Sequence, residues 1–484
     1  MNSGQSPRVS SGISGLDAIL DGGFIDERTY SIRGDSGTGK TILGYHFLTA
    51  GTDADETSVY FAFEETAKDI AANAATLGFD LDDVIIEDMS PSATEFMDDG
   101  NYTVFGPGEV EASEIVSRIG DTVETHDPDR VFIDPLTLLR HLSPDDFQFK
   151  RTAASMMSYM KERGSTTLFT TQSTADHSDE DLQYLADGSI TMRRTDRGRE
   201  LEVEKFRGSG FRSGSHGLRI DGGRGLSVFP SLAPDDHEQV FSYEQLSTDI
   251  DALDTLLGGG IERGSITLVS GPSGVGKSTT GTALARASAR RGETAAAFLF
   301  EESRHSFSHR SNAIGLDVSA LIEEGALEVH EVEPLSISAD EFAHRVRESV
   351  EERGVEFVLL DGTAGYRLAL QNPEAELREE LHKLCRYLRN MGVTVALTDE
   401  LSSVTGTFQA SDSQVSYLAD TVVFIRYIEV GGEIRKAIGV LKKRFGGFEA
   451  TLRAFSIEDD GIHIGETLSE LRGVLTGTPT QQAD

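Results

Sequence analysis

The sequence predicts an α/β fold used twice: two tandem P-loop domains, each a mostly parallel sheet flanked by helices. Three observations carry this. The chain has 484 residues, enough for two such cores. It holds two loops of the form G-x-x-x-x-G-K-[ST]. The apolar runs around those loops also recur in the same order in both halves, at nearly constant spacing.

The first loop is Gly34-Asp35-Ser36-Gly37-Thr38-Gly39-Lys40-Thr41. It follows the strand-like run Thr29 to Ile32 and precedes Ile42 to Phe47, which has helical spacing. Glycines allow a tight turn, so the backbone N–H groups of Gly34, Ser36, Gly37, Thr38 and Gly39 can point at one phosphate chain. The start of the following helix faces the same anion. Lys40 is placed to reach the β and γ phosphates, and the Thr41 hydroxyl to ligate Mg²⁺. The second loop repeats this with Gly271, Ser273, Gly274, Val275, Gly276, Lys277 and Ser278, after the strand Ile266 to Val269. The spacing is 277 − 40 = 237. Two nucleotide sites are expected, each taking a nucleoside triphosphate with Mg²⁺.

The other elements keep the register. The lead-in Ser11 to Phe24 is echoed by Thr248 to Ile261, with Leu16 and Asp17 answering to Leu253 and Asp254. The β-rich run Ser58 to Phe63 ends in Glu64-Glu65, and Ala295 to Phe300 ends in Glu301-Glu302 (301 − 64 = 237). A carboxylate at the C-terminal end of a parallel strand stands beside the ligand crevice of an α/β sheet. There it can polarise the water that attacks a γ-phosphate, so these four glutamates are the candidate catalytic groups. Arg130 to Asp134 and Phe357 to Asp361 are apolar runs closed by aspartate, the Walker-B pattern that brings a carboxylate to Mg²⁺. The candidate metal ligands are therefore Thr41 with Asp134 and Ser278 with Asp361. Between these points the first half is longer, in the loop-rich Met89 to Gly108 stretch. Strands Thr166 to Thr171 and Val393 to Thr398 follow, then Gly188 to Arg193 and Asp420 to Tyr427. Each half next carries a hairpin ending in a basic pair, Lys205 with Arg207 and Lys442 with Arg444. Residues two apart on a strand share a face, so each pair can clamp a phosphate; a charged edge strand that deters aggregation is the plainer reading.

The net charge is −37 and the isoelectric point near 4.6, with acidic residues spread along the chain. A dense carboxylate surface suits a high-salt cytoplasm, where ions screen its self-repulsion. It opposes non-specific nucleic-acid binding, which runs on Lys and Arg neutralising phosphates. The single cysteine, Cys385, lies in a helix-like run and cannot form an internal disulfide. No apolar run is long enough to span a membrane, and Met1 to Pro7 is polar, so the expected location is cytoplasmic.

The order of lead-in, P-loop, Phe-Glu-Glu, Walker B and K-x-R, given twice, closely resembles the KaiC-type ATPases, a double-domain branch of the RecA superfamily. The resemblance covers nearly the whole chain. It rests on Phe63-Glu64-Glu65-Thr66 and Phe300-Glu301-Glu302-Ser303, on the hairpin Arg435-Lys436-Ala437-Ile438 through Arg444, and on Leu475 to Thr480. It implies tandem RecA-like P-loop NTPase domains, ATP hydrolysis, and a homo-hexamer stacked as two rings with ATP between subunits. Lys205, Arg207, Lys442 and Arg444 would then reach the neighbour's site in the manner of an arginine finger. The family phosphorylates a Ser-Thr pair just before the Asp-Thr of the late strand. Here that place reads Ser416-Tyr417 before Asp420-Thr421. Ser416 is the phosphoacceptor candidate, but the second acceptor is replaced. Phe445 stands where the family has the glycine of K-x-R-G.

The expected division is residues 1–232, a linker at 233–241 around Pro234-Asp235-Asp236, residues 242–472, and a tail at 473–484. Three readings stay open. The first is an ATP-hydrolysing switch read by an unidentified regulatory protein. The second is a recombinase-like nucleic-acid ATPase, which the acidic surface disfavours. The third is a nucleotide-sensing scaffold with little turnover.

Overall fold

The computed structural model describes residues 6–90, 107–143, 145–172, 179–195, 198–333, 336–369, 374–401, 415–430, 432–469, 471–472 and 480–481. The chain divides into two compact units, Met1–Ser231 and Leu232–Asp484.

The first unit is built on β1 (Thr29–Gly34), β2 (Ser58–Ala62), β3 (Ile85–Asp88), β4 (Arg130–Asp134), β5 (Thr166–Thr171), β6 (Gly188–Thr195), β7 (Gly198–Phe206), β8 (Ser215–Asp221) and β9 (Gly225–Phe229). They form one nine-stranded sheet in the order β9-β8-β7-β6-β1-β5-β4-β2-β3. From β6 to β3 every pairing is parallel; from β6 to β9 every pairing is antiparallel. The inner strands β1, β2, β4 and β5 are almost wholly buried, as their unbroken apolar and Thr runs require when helices cover both faces.

The second unit repeats this with β10 (Ile266–Gly271), β11 (Thr294–Leu299), β12 (Leu327–Glu331), β13 (Val355–Asp361), β14 (Thr394–Glu400), β15 (Thr421–Val430), β16 (Glu433–Lys443), β17 (Arg453–Glu458) and β18 (Gly461–Thr467). The order is β12-β11-β13-β14-β10-β15-β16-β17-β18, the first sheet read from its other end. In both, the P-loop strand lies mid-sheet. Within each sheet the parallel strands bring their C-terminal ends to one edge, so that unit's P-loop, Glu-Glu pair and Walker-B aspartate arrive together.

The P-loop helices Lys40–Thr52 and Lys277–Arg290 must lie close on their sheets. Gly44 allows this in the first unit: a Cβ there would stand 2.1 Å from the Phe132 ring. Gly281, at the same place in the second, faces Leu359 at 2.7 Å. The repeated lead-in aspartates are structural. Asp17 accepts from Ser11 N at 2.8 Å and Ser10 Oγ at 2.6 Å; Asp254 accepts from Thr248 N at 2.8 Å and Ser247 Oγ at 2.6 Å.

The segment after Ser231 lies along the second unit. Leu232 joins its core, Asn390 Nδ2 donates to Pro234 O at 2.9 Å, and Arg386 pairs with Asp235 at 2.5 Å. Cys385 is buried, and that burial pushes its thiol up to about 12, an inert state. Thr480–Gln481 pairs antiparallel with Leu471–Arg472. The rest of the tail, and residues 91–106 of the long loop, lie outside the described residues.

Candidate functional site

Each P-loop leaves its central strand and turns into its helix through a glycine in the left-handed region, Gly39 at φ 106° and Gly276 at φ 120°. A side chain at either would be strained. In the first unit the loop opens onto a cleft of about 300 Å³ that takes in Lys40, Thr41, Glu64, Glu65, Asp134 and Thr170. Lys40 Nζ donates to the carbonyls of Gly34 (2.6 Å) and Asp35 (2.9 Å). Burial lowers its pKa, against the opposing pull of Asp134, Asp35 and Glu64. Thr41 Oγ1 donates to Asp134 Oδ2 at 2.6 Å, and Thr170 on β5 donates to the other carboxylate oxygen. Glu65 accepts from Asn73 Nδ2 at 3.0 Å.

The second cleft, about 370 Å³, has the same plan. Lys277 Nζ donates to Pro272 O at 3.0 Å and lies 3.7 Å from Glu400, at the end of β14. Burial again lowers its pKa, with Glu400, Glu301 and Asp361 opposing. Asp361 accepts from Thr398 Oγ1 at 2.7 Å and is hydrogen-bonded by Ser278. Its carboxyl is raised by burial, which the two hydroxyls oppose. Glu301 Oε1 accepts from Gly365 N at 3.3 Å. Burial raises its pKa above 4.5, with Asp361 and Glu400 adding to the rise and the Gly365 N–H opposing it. Gly362 makes room for it, since a Cβ there would stand 2.8 Å from Glu301 Oε1. Glu302 instead pairs with Arg310 at 2.6 Å. The two members of this carboxylate pair therefore have different surroundings.

Both candidate metal-ligand pairs fit Mg²⁺ in kind. Each offers a hydroxyl and a carboxylate already in contact, an all-oxygen set with room left for phosphate oxygens and water.

The basic pairs stand at the other edge of their sheets. Phe206, between Lys205 and Arg207, pairs with Gly188, which pairs with Tyr30 near the start of β1. Lys443, between Lys442 and Arg444, pairs with Thr421, which pairs with Thr267. Four residues of strand, roughly 13 Å, separate each level from its own P-loop strand's end. Lys205 Nζ donates to Gln183 O (2.7 Å), Tyr184 O (3.3 Å) and Ala186 O (2.6 Å). Lys442 Nζ donates to Ala419 O at 2.7 Å, and Arg444 pairs with Asp420 at 3.0 Å. Asp420 also holds Arg389 at 2.8 Å.

Ser416 lies in the turn Val415–Tyr417 that leads into β15, at the same edge as Lys442 and Arg444, and is half-buried. Tyr417 is 52% exposed, and its ring stacks on His382 with centroids 6.0 Å apart. Ser411 and Ser413 lie outside the described residues.

Several groups of the two clefts lie outside the sequence motifs. Thr170 and Thr398 hold the Walker-B carboxylates; their signal was a hydroxyl near the end of an apolar strand beside the Walker-B strand. Glu400 and Arg310 line the second cleft, and a position-by-position comparison of the halves would have found them, opposite Gln172 and Asn73. Lys443 is a buried structural cation, bonded to Leu257 O (2.6 Å) and Gly260 O (3.0 Å).

The profile of the family described as "ATPase: KaiC" matches residues 9–233 and again 246–469. The "Circadian clock protein KaiC3" of Synechocystis sp. is 27% identical over 98% of this chain and 95% of its own length. The "Circadian clock oscillator protein KaiC" of Acaryochloris marina is 26% identical over 98% of this chain and 91% of its own. That of Synechococcus elongatus is 26% identical over 97% and 91%. No described helix is long and apolar enough to cross a membrane. Because the profile matches once over each unit, with a P-loop at the same place in both, the chain belongs to the KaiC family of ATPases.

Proposed function

We propose that the protein is a cytoplasmic ATP-driven switch whose two rings each hydrolyse Mg²⁺-ATP between neighbouring subunits. The observation that carries this is the double edge: in each unit a P-loop cleft sits at one end of the central strand and a cationic pair at the other. A unit folded this way cannot bring its own pair to its own phosphates, but a neighbour in a ring can.

In each cleft the P-loop N–H groups and Lys40 or Lys277 hold the phosphates. Mg²⁺, when bound at Thr41 with Asp134 and at Ser278 with Asp361, supplies charge neutralisation on the β and γ oxygens. Glu64 and Glu301 orient the attacking water and take its proton, while Glu65 and Glu302 shape the wall. The neighbour's Lys205 with Arg207, or Lys442 with Arg444, meets the charge that builds on the transferring phosphoryl group. Nucleotide contacts that only the assembly can make favour assembly by linkage. ATP should therefore promote a ring, a homo-hexamer on the family pattern. Light scattering in high salt, with and without ATP, checks it; a monomer in both conditions rules out the shared cleft. High salt is the working medium we infer from the net charge of −37. The same charge disfavours nucleic acid as a partner.

A second reading, Ser/Thr autokinase activity, is favoured by the position of Ser416 in the turn at the sheet edge that carries Lys442 and Arg444. Its Oγ would attack the γ-phosphorus of ATP held by the neighbour. The bond from that phosphorus to the β-bridging oxygen breaks, ADP leaves, and Glu301 takes the hydroxyl proton. Tyr417 stands in place of the threonine acceptor that the family resemblance implies, so a two-site Ser/Thr phosphorylation cycle is not proposed here. γ-Labelled ATP tests both readings in one tube. Released phosphate is expected from the ATPase. Label retained on the chain and lost in Ser416→Ala is expected from the kinase. Release without retention leaves an ATPase alone.

A further inference from the structure

The two clefts differ in a group that hydrolysis leaves unused. Helix Arg304–Ala313 carries Arg310, and Asn73 stands at the same place on helix Ala67–Thr76 (310 − 73 = 237). Asn73 is a neutral amide that donates to Glu65 at 3.0 Å. Arg310 is a cation in the wall of the second cleft. Its Nη2 donates to Glu302 Oε1 at 2.6 Å and its Nε to Glu302 Oε2 at 3.3 Å; its Nη1 reaches Thr279 Oγ1 at 3.4 Å. Thr279 answers to Ile42 in the first half (279 − 42 = 237). The first cleft thus has Ile42 in its wall and Asn73 behind Glu65, whereas Thr279 and Arg310 both line the second.

Thr279 lies in the first turn of the P-loop helix, two residues after Lys277, where backbone N–H groups without helical partners face the phosphates. A guanidinium within reach of its hydroxyl lies alongside that chain. Arg carries five N–H donors in a flat fork suited to phosphate oxygens. Three are engaged by Glu302 and Thr279, and the side chain is 32% exposed, so donors remain for a ligand in the cleft.

We propose that Arg310 is a nucleotide-binding residue of the second cleft, donating to the phosphate chain of a nucleoside di- or triphosphate beside Thr279. It makes the second cleft the more retentive of the two. This rests on the P-loop reading of that cleft. Glu302 is then the partner that holds the guanidinium in place while the cleft is empty and competes with phosphate for it.

The test uses the full chain with Lys40→Ala, which silences the first cleft, titrated with a fluorescent ADP and Mg²⁺. Arg310→Asn installs the first half's residue and should weaken ADP binding on the order of ten- to a hundredfold, the range for a charge-assisted hydrogen bond. Arg310→Lys keeps the charge without the fork and should lose less. Glu302→Gln frees Arg310 from its carboxylate and should tighten ADP. Opposite directions for Arg310→Asn and Glu302→Gln are the signature of direct contact. Unchanged affinity in Arg310→Asn overturns the inference. So does equal weakening in both variants, which means Arg310 acts only by holding Glu302. A parallel chain with both Lys40→Ala and Lys277→Ala separates the two levels: ADP binding that survives it overturns the P-loop reading itself.

Discussion

Replacing Glu301 with Gln, in a chain whose first cleft is silenced by Lys40→Ala, should lower phosphate release by about 10²–10⁴-fold and leave ATP affinity within a few-fold. Glutamine keeps the volume and can still accept from Gly365 N, so the wall stands. It cannot take a proton. The pH profile gives a second readout. Burial, with Asp361 and Glu400 nearby, holds the Glu301 carboxyl above 4.5. A base works only when ionised, so kcat/KM, which reports the free enzyme, should fall as pH drops through that raised value. The acid limb should lie above that of an ordinary glutamate and vanish in Glu301→Gln. Glu64→Gln, in a Lys277→Ala chain, should do the same to the first cleft's rate. Parental rates in either variant mean that another group takes the proton.

Lys277→Ala and Lys40→Ala act a step earlier, on binding. Each lysine is a partly buried ammonium facing carboxylates: Glu400, Glu301 and Asp361 in the second cleft, Asp134, Asp35 and Glu64 in the first. Without the ammonium those carboxylates face the phosphates with less to offset them. Loss of a charge-assisted contact together with this repulsion should weaken ATP on the order of a hundredfold or more at that cleft. Equilibrium dialysis should show one nucleotide class lost in each single variant and both in the double. A double variant that still binds ATP contradicts the assignment of both clefts.

The fold was legible because its signals are local and repeated. The strand runs Ser58 to Phe63 and Ala295 to Phe300 end within a residue or so of the observed β2 and β11, and the P-loops turn where their glycines allow. The site was legible wherever chemistry follows the chain, as with Lys40-Thr41 or Asp361. It was less legible where chemistry depends on what a third element brings. Glu64-Glu65 and Glu301-Glu302 are the same dipeptide, yet Asn73 meets one pair and Arg310 the other across a helix turn. Asp17 and Asp254 repeat as faithfully as the candidate catalytic glutamates, but their contacts are with their own lead-in loops. Repetition marks what each unit needs, for folding or for chemistry, and the hydrogen bonds separate the two. Lys443 makes the same point: it shares a basic run with Lys442 and Arg444, yet strand alternation turns it inward.

The shared cleft is the claim on which the rest depends, and complementation tests it most directly. Two full-length chains are made on the Lys40→Ala background, one with Lys277→Ala and one with Lys442→Ala and Arg444→Ala. Each is inactive at the second cleft, the first for want of its P-loop lysine and the second for want of the pair it lends. Mixing them with ATP in high salt should restore phosphate release, because some clefts then join an intact Lys277 to an intact Lys442 and Arg444 from the next subunit. A mixture that exchanges subunits yet stays as inactive as its components contradicts the shared cleft.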